Sequence, residues 1–124
     1  MKIKLPIIVK KEIVDGKLDL KTEEREFEID TSLACQMRWE AHFPEMAKRE
    51  TFVDYATRIG AVKSKGVAEI LAEMKAIYCL FETEMSFTQF VKLFDISKKD
   101  YVENLVTRLK EALDVLLETS AEKN

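Results

Sequence analysis

The sequence has few of the residues on which most binding-site chemistry depends. Among 124 residues there are one histidine, two cysteines and three glycines. A structural zinc site needs about four close-spaced ligands, and a disulfide framework needs about four or more cysteines. Cys35 and Cys79 stand far apart, so we expect free, buried thiols in a reducing cytoplasm. No Lys-Ser or Lys-Thr pair follows Gly66, which argues against a phosphate-binding loop.

Charge of one sign and long apolar runs are also scarce. The chain has 20 lysines and arginines and 23 aspartates and glutamates, so its net charge is −3. Residues of both signs are spread evenly along the chain. Nonspecific nucleic-acid affinity comes mostly from basic surfaces, so this balance disfavours it. No apolar run approaches the roughly 20 residues of a membrane span. The apolar stretch Leu5–Val9 has charge on both sides, and we do not expect a secretory signal.

Length and composition predict one domain spanning residues 1–124. Hydrophobic residues form 47 % of the chain and charged residues 35 %, which is a globular composition. The Asp15-Gly16 pair predicts a two-stranded antiparallel hairpin over residues 1–29, because glycine tolerates positive φ. Residues 30–119 are predicted to form a compact bundle of about five helices, and residues 120–124 a frayed tail. The predicted fold class is α+β, predominantly α.

Capping signals and apolar periodicity divide residues 30–119 into helices. Asp30-Thr31-Ser32 and Thr51-x-x-Asp54 predict helix starts, and Pro44 predicts a new short helix. Ser86-x-x-Gln89 has the form of a capping box, and Ser97 is predicted to cap a long last helix. The clearest apolar stripe is predicted to mark the central helix and comprises Val67, Ile70, Leu71, Met74, Ile77, Tyr78 and Phe81.

Two residue pairs could carry chemistry, and both favour a plain structural interpretation. Cys35 and His42 share a helix face, but two turns, or roughly 10 Å, separate them, which is too far for a nucleophile and its base. Glu69 and Glu73 share a helix side and could ligate a metal with other groups. Without a nearby histidine, a solvated helix face is the better interpretation. The sequence therefore predicts no enzyme, no cofactor and no metal site.

Residues 87–109 have the outline of a helix-turn-helix. A short helix, a tight turn ending in Ile-Ser and a second helix would place Lys98, Lys99, Asn104 and Arg108 toward DNA. Asp95 stands where such turns usually have glycine, and further carboxylates follow in the second helix. That helix also continues for about twenty residues with a full apolar stripe, like a packing helix. A DNA-binding regulator is therefore the alternative hypothesis.

Two stretches in the middle of the chain carry a family resemblance. They read Gln36-Met37-Arg38-Trp39-Glu40-Ala41-His42-Phe43-Pro44 and Glu50-Thr51-Phe52-Val53-Asp54-Tyr55-Ala56-Thr57-Arg58-Ile59. With the layout of a hairpin followed by helices, they resemble small tail assembly chaperones of siphophages that infect Gram-positive bacteria. The aromatic residues of these stretches either pack in the core or are exposed anchors for a partner.

The resemblance implies a binding protein rather than an enzyme. Such chaperones coat the long helical tape measure protein in the cytoplasm of the bacterial host, and they leave before the mature virion forms. Many copies per client imply a homo-oligomer, and the hairpin, with its unpaired backbone edges, is the expected bridge between copies. A frameshifted longer product that recruits the major tail protein is also implied, and Glu122-Lys123-Asn124 is compatible with a slippery codon sequence. The residues nominated for protein binding are Arg38, Trp39, Phe43, Phe52, Tyr55 and Arg58.

Overall fold

The computed structural model describes residues 1–63 and 66–122, with the side chains of the last helix described up to residue 117. Within these residues, two strands are followed by six helices, and the predicted α+β architecture is confirmed. Among the described residues, no helix combines the length and apolar character that a bilayer span requires. The elements are β1 Lys2–Val14, β2 Lys17–Glu28, α1 Ala34–His42, α2 Pro44–Ala47, α3 Phe52–Gly60, α4 Val67–Tyr78, α5 Phe87–Val91 and α6 Lys99–Glu122.

The predicted hairpin is confirmed along its whole length. β1 and β2 pair antiparallel from Lys2 opposite Glu28 to Val14 opposite Lys17. Asp15 has φ 52° and Gly16 has φ 76°, which is the backbone conformation that a two-residue hairpin turn of type I′ requires. The register shifts by one residue between Ile8 and Lys10. Such a bulge changes which side chains face each side of the sheet beyond it.

The first half of β1 is fixed to α6 and to the segment before it. The Tyr101 hydroxyl donates to the Pro6 carbonyl oxygen at 2.6 Å. The Ile8 N–H donates to the Leu93 carbonyl oxygen at 2.7 Å. Pro6 fits this outer edge because a proline lacks the N–H that an interior strand would need for its ladder. These bonds join β1 to residues far along the chain, and the Tyr101–Pro6 bond spans 95 positions.

Burial divides the hairpin into two halves. At the open end, Leu5, Ile7 and Phe27 belong to the core. Near the turn, Ile13 is 70 % exposed, and it lies directly opposite Leu18 on the neighbouring strand. The open end is therefore part of the folded body, whereas the turn end presents apolar surface to solvent.

The predicted central helix, α4, packs against α3, α5 and α6. Most of its predicted stripe is confirmed, since Ile70, Met74 and Ile77 are buried. Val67 and Leu71 are exposed instead, so the prediction that they belong to the buried stripe was wrong. They border an open groove rather than a packed interface.

Several predicted helix starts are confirmed by their hydrogen bonds. The Thr51 hydroxyl accepts from the Asp54 N–H at 3.2 Å. Ser86 and Gln89 form the reciprocal bonds of a capping box. Pro44 opens the one-turn helix α2. These signals are reliable because they are satisfied by residues three positions apart in the chain.

Two predicted caps need correction. α1 begins at Ala34, with Leu33 in the cap position instead of any residue of 30–32. Ser97 donates its backbone N–H and its hydroxyl to the Asp95 carboxylate and so belongs to the turn before α6. α6 begins two residues later and extends to Glu122. Residues 120–122 are thus helical, and residues 123–124 lie outside the described residues.

One ion pair joins the hairpin to the segment before α6 and should make stability depend on pH. The Lys11 ammonium lies 2.6 Å from an Asp95 carboxylate oxygen. Hydrogen bonds from Lys11 and then Ser97 lower the pKa of Asp95 to about 2. Because this folded pKa lies below the ordinary value, the carboxylate stabilises the fold above about pH 4 and loses that effect as pH falls toward 2. We expect Asp95→Asn to lower the free energy of unfolding by about 0.5–1 kcal/mol at pH 7, and by progressively less below pH 4.

Urea titrations of both proteins at several pH values measure this difference. Glu45→Gln is the matched control, because Glu45 pairs with Lys48 only three residues away on an exposed surface. It should leave the free energy of unfolding almost unchanged. A difference between wild type and Asp95→Asn that stayed constant down to pH 2 would contradict the assignment.

Candidate functional site

Trp39 is the centre of the aromatic cluster nominated from the sequence, and it is fully buried. Its indole N–H donates to the Glu50 carbonyl oxygen at 3.0 Å. Its ring centroid lies 4.5 Å from that of Tyr55, 5.5 Å from that of Phe43 and 6.0 Å from that of Phe52. Contacts of this geometry hold α1 against α3, with Phe43 at the junction between α1 and α2.

Tyr55 and Phe52 are also core residues. The Tyr55 hydroxyl donates to the Ala72 carbonyl oxygen of α4 at 2.9 Å, and burial raises the pKa of Tyr55 to about 12. Phe52 is buried, and its backbone N–H donates to the Gln36 side chain at 2.8 Å. The nomination of Trp39, Phe52 and Tyr55 as a contact surface is therefore corrected, because their side chains are already enclosed.

Arg38 has a structural role. Its guanidinium donates to the Cys79 carbonyl oxygen at 2.7 Å and to the Asp30 carboxylate at 3.2 Å. It thereby attaches α1 to the end of α4 and to the chain leaving the hairpin. Hydrogen bonds from Ser32, together with Arg38, lower the pKa of Asp30.

Phe43 and Arg58 are the nominated residues that keep accessible surface. Phe43 is half-buried and packs edge-on against Phe87, with the ring centroids 5.3 Å apart. Arg58 is exposed, pairs with Glu50 and lies over the Tyr55 ring at 5.4 Å. The two side chains border the core cluster and do not by themselves define a concave site.

The Cys35–His42 pair does not form a catalytic arrangement. Cys35 is buried, and its thiol donates to the Asp30 carbonyl oxygen at 2.6 Å. His42 is exposed and lies against Tyr78, with the ring centroids 4.8 Å apart. Burial raises the pKa of Cys35, and it raises the pKa of Cys79 to about 12. Both thiols therefore stay protonated near neutral pH and are weak nucleophiles.

The two carboxylates of α4 do not both lie on a solvated face, contrary to the prediction. Glu73 is buried and Glu69 is half-buried. A search of the described residues finds no group of three or more His, Cys, Asp or Glu side chains placed to hold a metal ion. The pair therefore gains no further ligand within that part of the chain.

The segment considered for DNA binding is arranged around packing contacts. α5 has five residues, and seven residues separate it from α6. Arg108 pairs with Glu24 of the hairpin at 2.9 Å. Lys98, Lys99 and Asn104 are exposed. The arginine expected to face DNA is therefore engaged by the protein itself.

An open apolar groove lies between α4 and the segment joining α5 to α6. Its volume is about 230 Å³, which is below the roughly 300–1,000 Å³ of small-molecule sites and suits side chains of a partner. We call it the α4 groove, and its lining residues are Val67, Ile70, Leu71, Met74, Val91, Phe94, Asp95, Ile96 and Leu105. The polar member is Asp95, whose carboxylate is held by Lys11.

Sequence reasoning missed the α4 groove because its members look like core or turn residues. Val67 and Leu71 continue a regular apolar stripe, and nothing in that pattern shows where coverage stops. Ile96 gave a usable signal, since it is an apolar residue between two turn-forming residues, Asp95 and Ser97. The structure leaves Ile96 exposed at the groove.

A second exposed apolar feature lies on α1. Leu33 is 88 % exposed and Met37, one turn later, is 71 % exposed. Ala41 follows after another turn and is exposed as well. We call these three residues the α1 ridge. Residues four positions apart lie on one helix side, so the ridge is a continuous convex apolar strip.

No protein-family model, no curated protein and no solved structure matches the chain. The geometry and the sequence therefore carry the functional argument.

Proposed function

We propose that this protein is a non-catalytic assembly chaperone that binds amphipathic helices of a phage tape measure protein in the α4 groove. The observation that carries the proposal is the groove itself, an open, almost entirely apolar depression beside a helix. Helix-in-groove recognition buries the apolar face of a partner helix in such a depression. The identity of the client comes from the resemblance of residues 36–44 and 50–59 to tail assembly chaperones.

The exposed residues of the α4 groove give a physical reason for binding. Val67, Leu71 and Ile96 expose apolar surface at its borders. Covering such surface stabilises a complex by about 25 cal/mol per Å² of apolar area removed from water. Lys92 and Lys98 lie beside the lining residues in sequence and are exposed. They would meet carboxylates on the polar sides of a bound helix.

The proposal includes the setting in which such a chaperone works. It acts in the cytoplasm of a bacterial host, where several copies coat one client chain and leave before the virion is complete. A frameshifted, extended form would recruit the major tail protein. Trp39, Phe52 and Tyr55 lie in the core. This position favours a structural role for the segment that carries the resemblance, with the client-contact surface elsewhere on the protein.

Co-expression with fragments of the long helical protein encoded next to this gene tests the proposal. Wild-type protein should co-purify with such fragments, several copies to each. Leu71→Glu should weaken capture about tenfold or more, because it places a charge in an apolar site. Val53→Glu is the matched control, since Val53 on α3 is 43 % exposed and Leu71 is 41 % exposed.

Three outcomes are informative. If Leu71→Glu and Val53→Glu lose client capture equally, the α4 groove is not the client site. No capture by the wild-type protein would overturn the chaperone assignment. A mobility shift on duplex DNA at low salt, where electrostatic binding is strongest, would favour the DNA-binding alternative.

A further inference from the structure

The α1 ridge has the form of the ligand that the α4 groove is proposed to accept. It is a helix with two large apolar side chains at positions i and i+4, both standing out from the surface. These are the anchors by which an amphipathic helix enters a groove. The same chain therefore carries a convex apolar strip and a concave apolar site.

The two features cannot meet within one molecule. Arg38 attaches α1 to the carbonyl of Cys79, beyond the C-terminal end of α4. The α4 groove is lined by the N-terminal part of that helix, from Val67 to Met74. The buried face of α1, with Trp39 and Cys35, points to the core, and the α1 ridge is directed away from it. A ridge that enters a groove must come from another copy.

The charges beside the two features are complementary. Residues 91–99 hold three lysines and one aspartate; Asp95 is paired with Lys11, and Lys99 is paired with Glu103. Among the described residues, Lys92 and Lys98 have no carboxylate within ion-pair distance. Beside the α1 ridge, the Glu40 carboxylate accepts a hydrogen bond from the Gln36 amide at 3.3 Å, and that neutral partner brings no positive charge to it. Unlike charges steer two such surfaces together.

We propose that the α1 ridge of one copy occupies the α4 groove of the next. The two surfaces differ, so the contact is head-to-tail and each dimer keeps one free ridge and one free groove. Copies can therefore add in an open series. The inference rests on the groove being a helix acceptor, as in the proposed function, and it implies that a client helix competes with the ridge of the neighbouring copy.

Sedimentation velocity of the full chain without client tests this contact. Wild-type protein should form larger species as its concentration rises. The ridge variant, Leu33→Ser with Met37→Ser, and the groove variant, Leu71→Glu, should each sediment as a monomer of 14.4 kDa. The ridge variant retains a groove and the groove variant retains a ridge. An equal mixture should therefore give a 1:1 dimer and nothing larger.

Matched variants keep the test decisive if one protein folds poorly. Ile96→Glu is the second groove variant, because Ile96 is exposed at the same groove. Val53→Glu and the hairpin variant Ile13→Ser should both assemble like wild type. A wild-type protein that stays monomeric, a mixture that forms no dimer, or an Ile13→Ser protein that loses assembly would each overturn the inference.

Client capture by the ridge variant separates this inference from the proposed function. Its α4 groove is intact and free of neighbours, so it should bind client fragments at least as tightly as wild type. If self-association is lost in the ridge and groove variants as expected, but no variant and no wild-type protein captures client, the proposed function alone would be contradicted. If the wild-type protein captures client but never self-associates, the inference about self-association alone would be contradicted.

Discussion

Replacing Trp39 with alanine is expected to lower the free energy of unfolding by about 3–5 kcal/mol, the range for truncating a large buried aromatic side chain. The ring fills the space between Phe43, Phe52 and Tyr55. The substitution also leaves the part-buried Glu50 carbonyl oxygen without the indole donor, and an acceptor that loses its donor carries its own cost. A domain of this size has a total stability of about 5–15 kcal/mol, so the variant should be close to unfolding. Urea denaturation followed by circular dichroism measures the change.

Met37→Ala on the same helix is the control for Trp39→Ala. Met37 is exposed, and exposed substitutions usually change stability by about 0.5 kcal/mol or less. The comparison also decides how a loss of client binding is to be interpreted. A Trp39→Ala protein with wild-type stability and no client binding would restore Trp39 as a contact residue and contradict its place in the core.

Phe27→Ala is expected to destabilise the protein as much as Trp39→Ala does, lowering the free energy of unfolding by about 3–5 kcal/mol. The Phe27 ring lies 5.0 Å from that of Phe81 and 6.1 Å from that of Phe90, measured between centroids. Through this side chain β2 packs into the core against Phe81, in the segment after α4, and against Phe90 of α5. Ile13→Ser, in the same hairpin, should change the free energy of unfolding by about 0.5 kcal/mol or less, because Ile13 is largely exposed. Chemical denaturation of both variants checks the contrast.

This contrast affects any test of the hairpin as a bridge between copies. Removing residues 1–29 would delete Leu5, Ile7 and Phe27 from the core, so the truncated chain would lose its fold together with any bridge. Substitutions near the turn, such as Ile13→Ser, separate the two effects. Equal destabilisation by Phe27→Ala and Ile13→Ser would show that the hairpin packs along its whole length.

Local signals in the sequence predicted the elements well. The Asp15-Gly16 turn, the Thr51 cap and the Ser86-x-x-Gln89 box are each satisfied by residues within a few positions. A window of the sequence therefore contains all of the interacting groups. Ser97 differs, because its backbone N–H and its hydroxyl both donate to the Asp95 carboxylate two residues earlier and place it in the turn before α6.

The candidate site was harder to predict, because the exposure of a side chain depends on whether other helices or loops pack over it. Leu71 and Ile70 are adjacent members of one apolar stripe, yet Ile70 is buried and Leu71 is not. The difference arises from where the segment after α5 runs, and no pattern within α4 encodes that path. The aromatic residues around Trp39 were nominated as binding residues for a related reason, since a buried anchor of the core and an exposed anchor for a partner have the same composition.

The bond between Tyr101 and Pro6 has a consequence for synthesis of the protein. It joins positions 95 residues apart, and closing so long a loop costs chain entropy that local contacts avoid. Strand β1 is synthesised before its docking partner α6. The part of β1 around Pro6 must therefore wait for α6 during translation, and the contact between them closes only after α6 has left the ribosome. A protein proposed to shield apolar helices thus passes through a stage in which its own apolar strands are unshielded.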